Sequence, residues 1–351
     1  MDKTGCIIHS MNHIFYSKSG DGYLNLAADE LILERYRRGE LDGVTLYFYV
    51  NDNAVIIGRN QNAWAECDIV KMEADGVQLV RRHTGGGAVY HDGGNLNFSF
   101  ITNEKLYDKE RQNRVILNAL RRLGYDAEVL GRNDFTVGGR KVSGCAYALS
   151  GVARGMHGTL LVCADMDRLS EYLKPSKLKL SVKGIGSVRA RVCNLNELKP
   201  LTVQKMREAV AVEFGLEYGE HTPLDIGRAY DILCAKHEEI GTNVQYDDDE
   251  LVRLYKERSS WEWRIGRNPQ FEINREGRLS FGMVQIMLTV RNGVVRSSKV
   301  YSDALDVELP VRIQSLLEGA RFERDGLFSA LSPLGSVADE ITDLIMNNEV
   351  K

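Results

Sequence analysis

The alternation of apolar and polar positions along the chain predicts a mixture of strands and helices. Residues 95–101 alternate between apolar and polar side chains, which is the period of a strand with one buried face. Residues 108–123 place their apolar side chains at helical spacing and are followed by Gly124, so an amphipathic helix is predicted there. Residues 202–214 predict a second helix, for which Thr202 is a suitable N-cap.

Turn-forming residues predict two β-hairpins in the first half of the chain. Two apolar runs, 46–50 and 54–57, flank a polar triplet and predict the first hairpin. The second hairpin pairs residues 135–137 with residues 140–143. Its tip is Gly138-Gly139, because glycine adopts the positive φ angles that a tight hairpin turn requires.

The last third of the chain predicts a second, smaller domain. From residue 223 to residue 250 the pattern is weak and ends in an acidic run, which is typical of a solvated linker. Beyond it we predict two strands, 279–290 and 294–301, and two helices, 309–319 and 337–346. This combination indicates a small α+β unit.

The charge balance argues against a nucleic-acid-binding protein. The 351 residues include 45 Lys plus Arg and 49 Asp plus Glu, a net charge of −4, whereas a chain-wide nucleic-acid footprint is strongly basic. No apolar run reaches the roughly 18 residues of a membrane span. The first twenty residues, with Asp2, Lys3 and Lys18, lack the apolar core of a signal peptide. The six cysteines are scattered without a CxxC pair, as reduced thiols are. We therefore expect a cytoplasmic protein that contacts neither membrane nor nucleic acid.

A glycine-rich segment is the first candidate for chemistry. Residues 81–92 consist of two arginines, His-Thr, three glycines and Ala-Val-Tyr-His-Asp, and they follow a predicted strand. Three glycines let backbone N–H groups approach an anion closely, and the arginines add positive charge. A plain tight turn explains three glycines equally well, and the GxxxxGK[ST] pattern of a Walker A loop does not occur.

Two further basic features accompany the glycine-rich segment. Lys141 follows the predicted hairpin tip and is held more firmly there than on an open loop, although a lone lysine is more often a solvated surface residue. Residues 174–194 contain six basic residues and no acidic one, which predicts a local anion or, alternatively, only a solvated loop. Nucleic acid is a weaker candidate for that anion, because aromatic residues for base stacking are missing from the segment.

Taken together, these segments resemble the lipoate–protein ligase A family. They follow the order and spacing of the family's motifs, and the resemblance covers nearly the whole chain. The segments are Asn25-Leu-Ala-Ala-Asp-Glu, residues 81–92, Gly131-Arg-Asn-Asp, Arg140-Lys-Val-Ser-Gly, His157-Gly-Thr-Leu-Leu, residues 183–192 and Ser259-Ser-Trp-Glu-Trp-Arg.

The resemblance implies an α+β fold with a mixed β-sheet flanked by helices, as in biotin and lipoate protein ligases, plus a small α+β C-terminal accessory domain. We place the catalytic domain, which would bind lipoate and adenylate, at residues 1–247 and the accessory domain at residues 248–351. Residues 221–243 do not match the family pattern, and they lie just before the boundary of this division.

The resemblance also implies a two-step ligation. The carboxylate of lipoic acid would attack the α-phosphate of ATP, with Mg²⁺ bridging the phosphates, and would form lipoyl-AMP. A lysine of a lipoyl domain would then take the lipoyl group and release AMP. The implied acceptors are the lipoyl domains of 2-oxoacid dehydrogenase complexes and the glycine cleavage H protein, and the enzyme is expected to be a monomer.

The site residues follow from the same motifs. Lys141 is the implied catalytic residue, in contact with the adenylate phosphate and the acyl carbonyl. Asn133 and Asp134 would orient the nucleotide, Lys141 or the metal, and Asp134 is therefore a tentative magnesium ligand. The other implied lipoate- and ATP-binding residues are Arg82, Gly85, Gly86, Gly87, Ala88, Val89, Tyr90, His157, Gly158, Thr159, Lys183 and Gly184. Residues 174–192 would form the loop that covers the adenylate.

Two alternative functions are compatible with parts of this pattern. An acyltransferase of the same superfamily moves octanoyl or lipoyl groups through a cysteine thioester without ATP, and Cys145 is the candidate nucleophile. A lipoate-binding module without activity is the second alternative, although such a paralogue would have no need to keep Lys141 and the glycines. The basic segment and the C-terminal domain favour the ATP-dependent ligase.

Overall fold

The computed structural model of the protein describes residues 11–131, 134–173, 192–236, 249–265, 273–291 and 293–346. The chain divides into two compact units. Unit 1 comprises the described residues of Met1–Ala54, His91–Asp165 and Arg189–Ser259. Unit 2 comprises those of Val55–Tyr90, Met166–Val188 and Ser260–Lys351.

Both units contain strands and helices. The strands are β1 Asn12–Tyr16, β2 Val44–Tyr49, β3 Ala54–Ile57, β4 Gln78–Arg81, β5 Val89–His91, β6 Asn95–Asn103, β7 Ala127–Leu130, β8 Asp134–Val137, β9 Arg140–Ser150, β10 Ala153–Leu161, β11 His221–Pro223, β12 Ile273–Leu279, β13 Gly282–Arg291 and β14 Val294–Ser302. The helices are α1 Gly22–Arg37, α2 Ala63–Glu66, α3 Ile69–Ala74, α4 Lys109–Arg122, α5 Met166–Tyr172, α6 Val203–Tyr218, α7 Arg228–Lys236, α8 Glu250–Ser259, α9 Trp261–Arg264, α10 Leu309–Leu317, α11 Arg324–Leu331 and α12 Val337–Met346.

Unit 1 is built on an eight-stranded mixed sheet in the order β11-β1-β2-β6-β10-β9-β8-β7. Strand β1 is parallel to both of its neighbours, and the other neighbouring pairs are antiparallel. Helices α4 and α6 pack together on one face, over an apolar core to which β6 contributes Leu96, Phe98 and Phe100. Helix α1 packs against β6 and β10. The predicted mixed sheet flanked by helices is thus confirmed.

The burial of β6 differs from the prediction. We expected a strand with one buried face, whereas all of its residues except the last are buried, including Asn97 and Ser99. These two side chains point away from Phe98 and therefore lie on the face opposite the α4–α6 core. Helix α1 packs against this strand, so the polar side chains are enclosed rather than solvated. Periodicity predicts which residues share a face, but not whether a later element covers that face.

Local signals place two helices of unit 1, α4 and α6, where they were predicted, whereas α1 was not predicted. Asp108 caps α4 by accepting from the backbone N–H of Arg111 at 2.9 Å, and Gly124 ends the helix with φ 82°. Thr202 caps α6 in the same way, accepting from the backbone N–H of Lys205 at 3.2 Å. Each cap satisfies a backbone donor that the first helical turn leaves without a partner.

The predicted hairpin of residues 46–50 and 54–57 is wrong. Strand β2 belongs to the eight-stranded sheet, whereas β3 lies in a separate three-stranded sheet in the order β4-β3-β5. All residues of both strands are buried, so each pairs within its own sheet and neither forms an exposed ribbon. Asn51, between the two strands, is itself fully buried, unlike a residue at the exposed turn of a hairpin.

Unit 2 contains the β4-β3-β5 sheet and a second three-stranded sheet, β12-β13-β14, which is antiparallel. Helices α10, α11 and α12 share an apolar core with this second sheet. The strands and helices predicted beyond residue 278 are therefore confirmed, although β12 and α11 were not predicted. The small α+β C-terminal domain is confirmed with them.

The weakly patterned stretch from residue 223 to residue 250 contains helix α7 and ends where helix α8 begins. Helix α8 packs on α1 within unit 1, and Leu251 and Leu254 are buried. Arg258, 5% exposed, donates from Nε and Nη2 to the two carboxylate oxygens of Glu30, both at 2.6 Å. Part of the predicted linker is therefore helical, as α7, and the helix that follows it packs within unit 1. No helix in the described ranges is long and apolar enough to cross a membrane.

Candidate active site

Lys141 lies on the β8–β9 hairpin, on the same face as Asp134. The hairpin tip, Gly138-Gly139, has φ angles of 56° and 74°, which residues with a side chain rarely adopt. The register pairs Lys141 with Thr136, after a β-bulge in the preceding pair. Because alternate residues of a strand share a face, Asp134 and Thr136 project to the same side as Lys141. The hairpin is thus confirmed, and it fixes the position of the Lys141 backbone.

An ion pair with Asp134 fixes the position of the Lys141 ammonium group. The distance from Lys141 Nζ to Asp134 Oδ1 is 2.7 Å, and the side chains are 37% and 35% exposed. An ion pair this exposed contributes only about 0–1 kcal/mol to stability. Its effect is to orient the ammonium group rather than to hold the fold together. Of the three roles left open for Asp134, the geometry favours the orientation of Lys141.

Two glycines make room beneath this site. A Cβ at Gly144 would lie 2.9 Å from Lys141 Nζ and 3.0 Å from its Cε, so the lysine side chain lies directly over this residue. A Cβ at Gly158 would lie 2.7 Å from both Cys145 Sγ and Phe98 Cζ. Gly158 therefore faces the core, and its role in this structure is close packing between β9 and β10.

His157 and Thr159 lie on β10 opposite polar residues of β6. The register pairs His157 with Ser99 and Thr159 with Asn97, so the four side chains share one face of the sheet. Ser99 and Asn97 are each 1% exposed, and His157 is partly buried. On β9 the residue opposite His157 is Ala146, whose small side chain leaves space beside the ring. This face combines polar groups with small ones, as a pocket for an amphipathic molecule requires.

In unit 2, Arg82 organises the backbone of the glycine-rich loop. Its side chain is 8% exposed. The guanidinium donates to Gly85 O from Nε at 2.9 Å and from Nη2 at 2.7 Å, and to Gly87 O at 2.8 Å. The C=O and N–H of a trans peptide point in opposite directions. The N–H groups of Gly86 and Ala88, which share these two peptides, are therefore directed away from Arg82.

The backbone N–H groups of Gly86 and Ala88 can donate to a bound anion. Within the ranges that the structure describes, neither Gly86 nor Ala88 donates its backbone N–H to an acceptor of the chain. Successive backbone donors of this kind form the concave anion-binding feature found in many phosphate sites. Arg82 was predicted as a direct binding residue, and the structure shows its guanidinium engaged with the loop carbonyls.

The three glycines of the loop are required for different reasons. A Cβ at Gly85 would lie 2.0 Å from Ala304 O, so the backbone of unit 2 itself excludes a side chain there. Gly86 has φ 94°, a conformation that favours glycine. A Cβ at Gly87 would meet no atom of the described chain within 4 Å, and its φ is not in the positive region. The third glycine thus leaves space that the described residues do not fill.

The residues after the glycines are packed against α5. Tyr90 is 3% exposed, and its ring centroid lies 5.8 Å from that of Tyr172. Its hydroxyl accepts from Arg168 Nη1 at 3.3 Å. Ala88 and Val89 are partly buried. Tyr90 therefore anchors the end of the loop, while its backbone remains part of the predicted binding segment.

Arg81 has a structural role. Its side chain is 7% exposed, and burial lowers the pKa of its guanidinium to about 10. It donates at 2.7 to 3.2 Å to five backbone carbonyls, those of Gly58, Arg59, Gln61, Trp263 and Arg264. This charge was predicted to assist anion binding, but its contacts join the segment after β3 to α9.

Three predicted site residues, Asn133, Lys183 and Gly184, lie outside the described residues, as does most of the basic segment. The description resumes at Val192, which forms a parallel bridge with Lys141. The backbone N–H of Cys193 donates to Lys141 O at 3.0 Å. The C-terminal end of the basic segment is therefore tied to the strand that carries the lysine.

The tentative magnesium site at Asp134 stays a prediction. Among the described residues, no group of three or more His, Cys, Asp and Glu side chains could hold a metal ion. Mg²⁺ commonly uses only one or two carboxylates and completes its shell with water and phosphate oxygens. The carboxylate of Asp134 is partly exposed and suits an ion that arrives with a nucleotide.

Sequence reasoning missed three buried residues of unit 1: Asn25, Asn51 and His91. Asn51 Nδ2 lies 3.1 Å from His91 Nδ1, and Asn25 Nδ2 donates to Asn51 Oδ1 at 2.9 Å. Asn25 and His91 lie inside the segments that carried the family resemblance, so a signal was present. Without coordinates, however, nothing indicated that the two segments share a hydrogen-bond chain.

Comparison with known families agrees with the fold. Residues 21–215 match the lipoyl protein ligase A/B catalytic domain, and residues 268–350 match the bacterial lipoate protein ligase C-terminus. The catalytic match includes Lys141, the glycine-rich loop and the polar face of β10. The class of protein defined by this domain comprises the lipoyl protein ligases A and B.

Individual relatives narrow the class. The chain is 36% identical over 325 residues to the lipoate-protein ligase A of Psychrobacter cryohalolentis, which is 91% of each chain. LipL1 of P. falciparum, solved in complex with lipoate, is similar with a TM-score of 0.80 at 26% identity, over 95% of this chain and 99% of that one. A lipoate-protein ligase A bound with ATP has a TM-score of 0.58 at 30% identity, over 73% of this chain and 98% of that one. The chain belongs to the lipoate–protein ligase A family.

Proposed function

We propose that this protein is an ATP-dependent lipoate–protein ligase, which activates lipoate as lipoyl-AMP and transfers the lipoyl group to a lysine of a lipoyl domain. The observation that carries the proposal is Lys141, held by Asp134 over Gly144 in a chain of this family. An oriented and partly exposed ammonium group is what a reaction at phosphate and acyl oxygens requires.

In the first step, a carboxylate oxygen of lipoate attacks the α-phosphorus of ATP. A new P–O bond forms as the bond to the bridging oxygen breaks, and pyrophosphate leaves with the bonding electrons. Negative charge increases on the phosphate oxygens during this step. Lys141 stabilises that charge by its position, because Asp134 has already oriented the ammonium group before the substrate binds.

The glycine-rich loop binds the anionic part of the substrates. The N–H groups of Gly86 and Ala88 are directed outward because Arg82 holds the neighbouring carbonyls. Gly87 adds the space that allows a phosphate or carboxylate to approach the backbone. In this proposal Arg82 acts on the substrate only through the loop that it shapes.

In the second step, the ε-amine of the acceptor lysine attacks the acyl carbon of lipoyl-AMP. The tetrahedral oxyanion collapses, the C–O bond to phosphate breaks and AMP leaves. Lys141 again lies beside the oxygens that become more negative. We assign His157 and Thr159 to the lining of the acyl site, because they share the enclosed polar face of the sheet with Ser99 and Asn97.

The basic segment covers the adenylate in this proposal. Residues 174–192, with Lys183 and Gly184, supply positive charge without any acidic residue. The segment ends at Val192 and Cys193, whose contacts with Lys141 bring its C-terminal end to the catalytic strand. Exclusion of water would protect the mixed anhydride from hydrolysis. Asn133 would orient the nucleotide, and Mg²⁺ bound to ATP would offset the charge of the phosphates.

The proposed acceptors are lipoyl domains of 2-oxoacid dehydrogenase complexes and the glycine cleavage H protein. A bipartite lipoate protein ligase of Thermoplasma acidophilum, described with its E2 lipoyl domain as an archaeal lipoylation system, is similar to this chain with a TM-score of 0.61 at 29% identity, over 76% of this chain. A monomeric state, a cytoplasmic location and the division into a catalytic domain of residues 1–247 and an accessory domain of residues 248–351 also stay predictions.

The thioester alternative is weakened by the environment of Cys145. The residue is 5% exposed, and burial raises the pKa of its thiol to about 12. The reactive form of cysteine is the thiolate, so nucleophilic cysteines have a low pKa and an accessible sulfur. Cys145 has neither property. Its sulfur instead packs against the backbone at Gly158.

Lipoate-dependent exchange of pyrophosphate into ATP tests the proposal. The purified protein should catalyse exchange only when lipoate is present, and addition of an apo lipoyl domain should convert lipoyl-AMP into lipoyl-lysine. Full-rate transfer of an acyl group from a carrier protein without ATP would instead support the thioester mechanism. Lipoate binding without exchange would identify a binding module.

A further inference from the structure

A chain of side-chain hydrogen bonds runs through the interior of unit 1 and ends at His91. Asn25 Nδ2 donates to Asn51 Oδ1 at 2.9 Å, and Asn51 Nδ2 lies 3.1 Å from His91 Nδ1. Asn25 and Asn51 are fully buried, and His91 is 4% exposed. His91 is the last residue of β5, the strand that continues from the glycine-rich loop.

The orientation of the Asn25 amide is fixed by groups of known polarity. Its Nδ2 atom lies 3.0 Å from Ser19 O and 3.2 Å from Val50 O, and backbone carbonyls only accept. Its Oδ1 atom accepts from Ser17 Oγ at 2.5 Å and from Tyr47 OH at 3.3 Å. A flipped amide would place an oxygen against two carbonyl oxygens, so the nitrogen must be where it is assigned.

This orientation determines the proton on His91. Because Asn25 presents its nitrogen, Asn51 must turn its oxygen toward Asn25 and its own nitrogen toward the imidazole. His91 Nδ1 then faces a donor and has to accept. The proton of the ring is therefore on Nε2. Which nitrogen of a histidine donates is set by the hydrogen bond at the other nitrogen. Here that bond is set by Asn51, and the orientation of Asn51 is set in turn by Asn25.

We propose that Asn25 and Asn51 are positioning residues, which hold His91 as its Nε2–H tautomer so that the ring donates a hydrogen bond to an oxygen of the adenylate intermediate. This inference rests on the proposed ligase function, since it assumes that the segment from the glycine-rich loop to His91 meets that intermediate. A merely structural role would require only that the buried amides be satisfied. The positioning role requires in addition that His91 donate at Nε2, and a change of tautomer separates the two.

The first measurement needs no substitution. Nitrogen-15 spectra of the full-length protein with labelled histidine should show His91 Nε2 as the protonated nitrogen and Nδ1 as the unprotonated one. A ring with its proton on Nδ1 would overturn the proposal at once. The signal can be assigned by its loss in His91→Gln.

Asn51→Asp keeps the shape of the side chain and reverses its polarity toward His91. A carboxylate still accepts from Asn25 Nδ2, but its second oxygen can only accept from the ring, so the proton must move to Nδ1. We expect the spectrum to invert and kcat for lipoate-dependent exchange to fall about 10- to 100-fold, the range for one hydrogen bond to a charged group. The KM values for lipoate and ATP should change little.

Asn12→Asp is the matched control for a new buried carboxylate. Asn12 is 9% exposed, and its Nδ2 donates to Tyr218 O at 2.9 Å and Glu220 O at 3.3 Å, away from the hydrogen-bond chain to His91. This variant should lower the melting temperature but leave the His91 spectrum and kcat unchanged. A folded Asn51→Asp protein with inverted tautomer and normal kcat would refute the positioning role.

Two further outcomes are also decisive. If the new carboxylate makes the ring doubly protonated, Nε2 still donates and kcat should persist until the pH is raised enough to leave only the Nδ1–H form. If Asn51→Asp does not fold, His91→Gln, whose amide can donate at the Nε2 position, should retain more activity than His91→Ala, and equal loss in both would refute the role. Failure of the proposed function is distinguishable, because then the wild type shows no exchange at all, whatever its tautomer.

Discussion

The ion pair between Lys141 and Asp134 contributes little to the stability of the fold. Lys141→Ala should reduce lipoate-dependent exchange by about 10²- to 10³-fold, by analogy with loss of one oxyanion donor. The melting temperature should stay within a few degrees of the wild type, because the side chain is 37% exposed. Exchange kinetics and thermal unfolding, with Lys105→Ala as the control at an exposed lysine, measure both effects. Full activity of Lys141→Ala would remove the lysine from the mechanism.

Cys145, in contrast to Lys141, is expected to be dispensable for activity. Because burial raises its pKa to about 12, the thiol stays protonated at neutral pH and should resist alkylation in the native state, whereas the exposed Cys163 should be modified first. Cys145→Ser should keep most of the exchange activity. Peptide mass spectrometry after iodoacetamide treatment reports the modification. Rapid native labelling of Cys145, or a dead serine variant beside an active Lys141→Ala, would contradict the ligase mechanism.

The same thiol gives stability a dependence on pH. In the unfolded chain Cys145 ionises near its ordinary pKa of 9.0, whereas the folded state keeps it protonated up to about 12. Its contribution is therefore fully present below pH 9 and is lost as the pH rises through that interval. The free energy of unfolding of Cys145→Ala should decrease less than that of the wild type between those two pH values.

Gly144 limits where the side chain of Lys141, the proposed catalytic residue, can lie. A Cβ would lie 2.9 Å from Lys141 Nζ, and its φ is not in the positive region, so Gly144→Ala should displace the lysine without straining the backbone. A displacement of about 1 Å can cost about 100-fold in rate. We expect kcat for exchange to fall by that order while the melting temperature changes little. Gly93→Ala, where a Cβ meets nothing within 4 Å, should leave both unchanged. Equal kcat values for the two variants would show that the space over Gly144 is not needed.

Among the elements, the glycine-rich loop contains one glycine, Gly87, that is expected to affect substrate binding, and another, Gly85, that is expected to affect folding. Gly87→Ala adds a methyl group that meets no atom of the described chain within 4 Å, so the fold should be unaffected. The methyl group would occupy the space proposed for the anion and should raise KM for ATP or lipoate about tenfold or more, the effect of losing a hydrogen bond to a charged group. Gly85→Ala, which would place a Cβ 2.0 Å from Ala304 O, should instead lower the melting temperature. Unchanged KM in Gly87→Ala would exclude the loop as the anion site.

Elements with local signals were predictable, and elements defined by distant contacts were not. Helix α4, with Asp108 as its cap, and the β8–β9 hairpin, with its two glycines, are specified by neighbours in the chain. The separation of β2 and β3 into different sheets depends on strands far along the chain. The burial of the polar residues of β6 depends on α1, which no local pattern could reveal.

The same division holds for the site. Lys141 and the glycines were recognisable as motifs, and the ion pair with Asp134 joins residues of one hairpin. The polar chain from Asn25 to His91 spans two motifs and was not predicted. Arg82 was assigned to the substrate, whereas its donors serve the loop carbonyls. A sequence gives the type of a side chain, but the direction of its hydrogen bonds requires the fold.

On the scale of the whole molecule, the C-terminal part supports the loop that would bind substrate. Within unit 2, Asn60 Nδ2 donates to Val307 O at 2.7 Å, and the backbone N–H of Ser302 donates to Asn60 O at 2.6 Å. A chain that ends at Ser259 loses these contacts and the neighbour of Gly85. It should therefore lose lipoate activation by about tenfold or more, by misplacement of the loop.

Transfer from supplied lipoyl-AMP should be less affected by that truncation, because Lys141 and Asp134 belong to unit 1. Parallel assays of exchange and of lipoyl-domain modification measure the two half-reactions. Selective loss of transfer would show that the C-terminal part serves the acceptor instead. The full-length Asn12→Asp protein controls for a general loss of stability.

The packing of α8 on α1 bears on how the chain could be divided into two polypeptides. A break within residues 237–248 would leave α8 on the C-terminal fragment. Leu251, Leu254 and Arg258, which are buried in the intact chain, would then form a packing surface on that fragment. The N-terminal fragment would carry the matching one, where Glu30 and Arg38 receive the two ends of the helix. Co-expressed halves cut there should find each other and restore activity by fragment complementation. Halves cut after Ser259 would lack this reciprocal pair of surfaces.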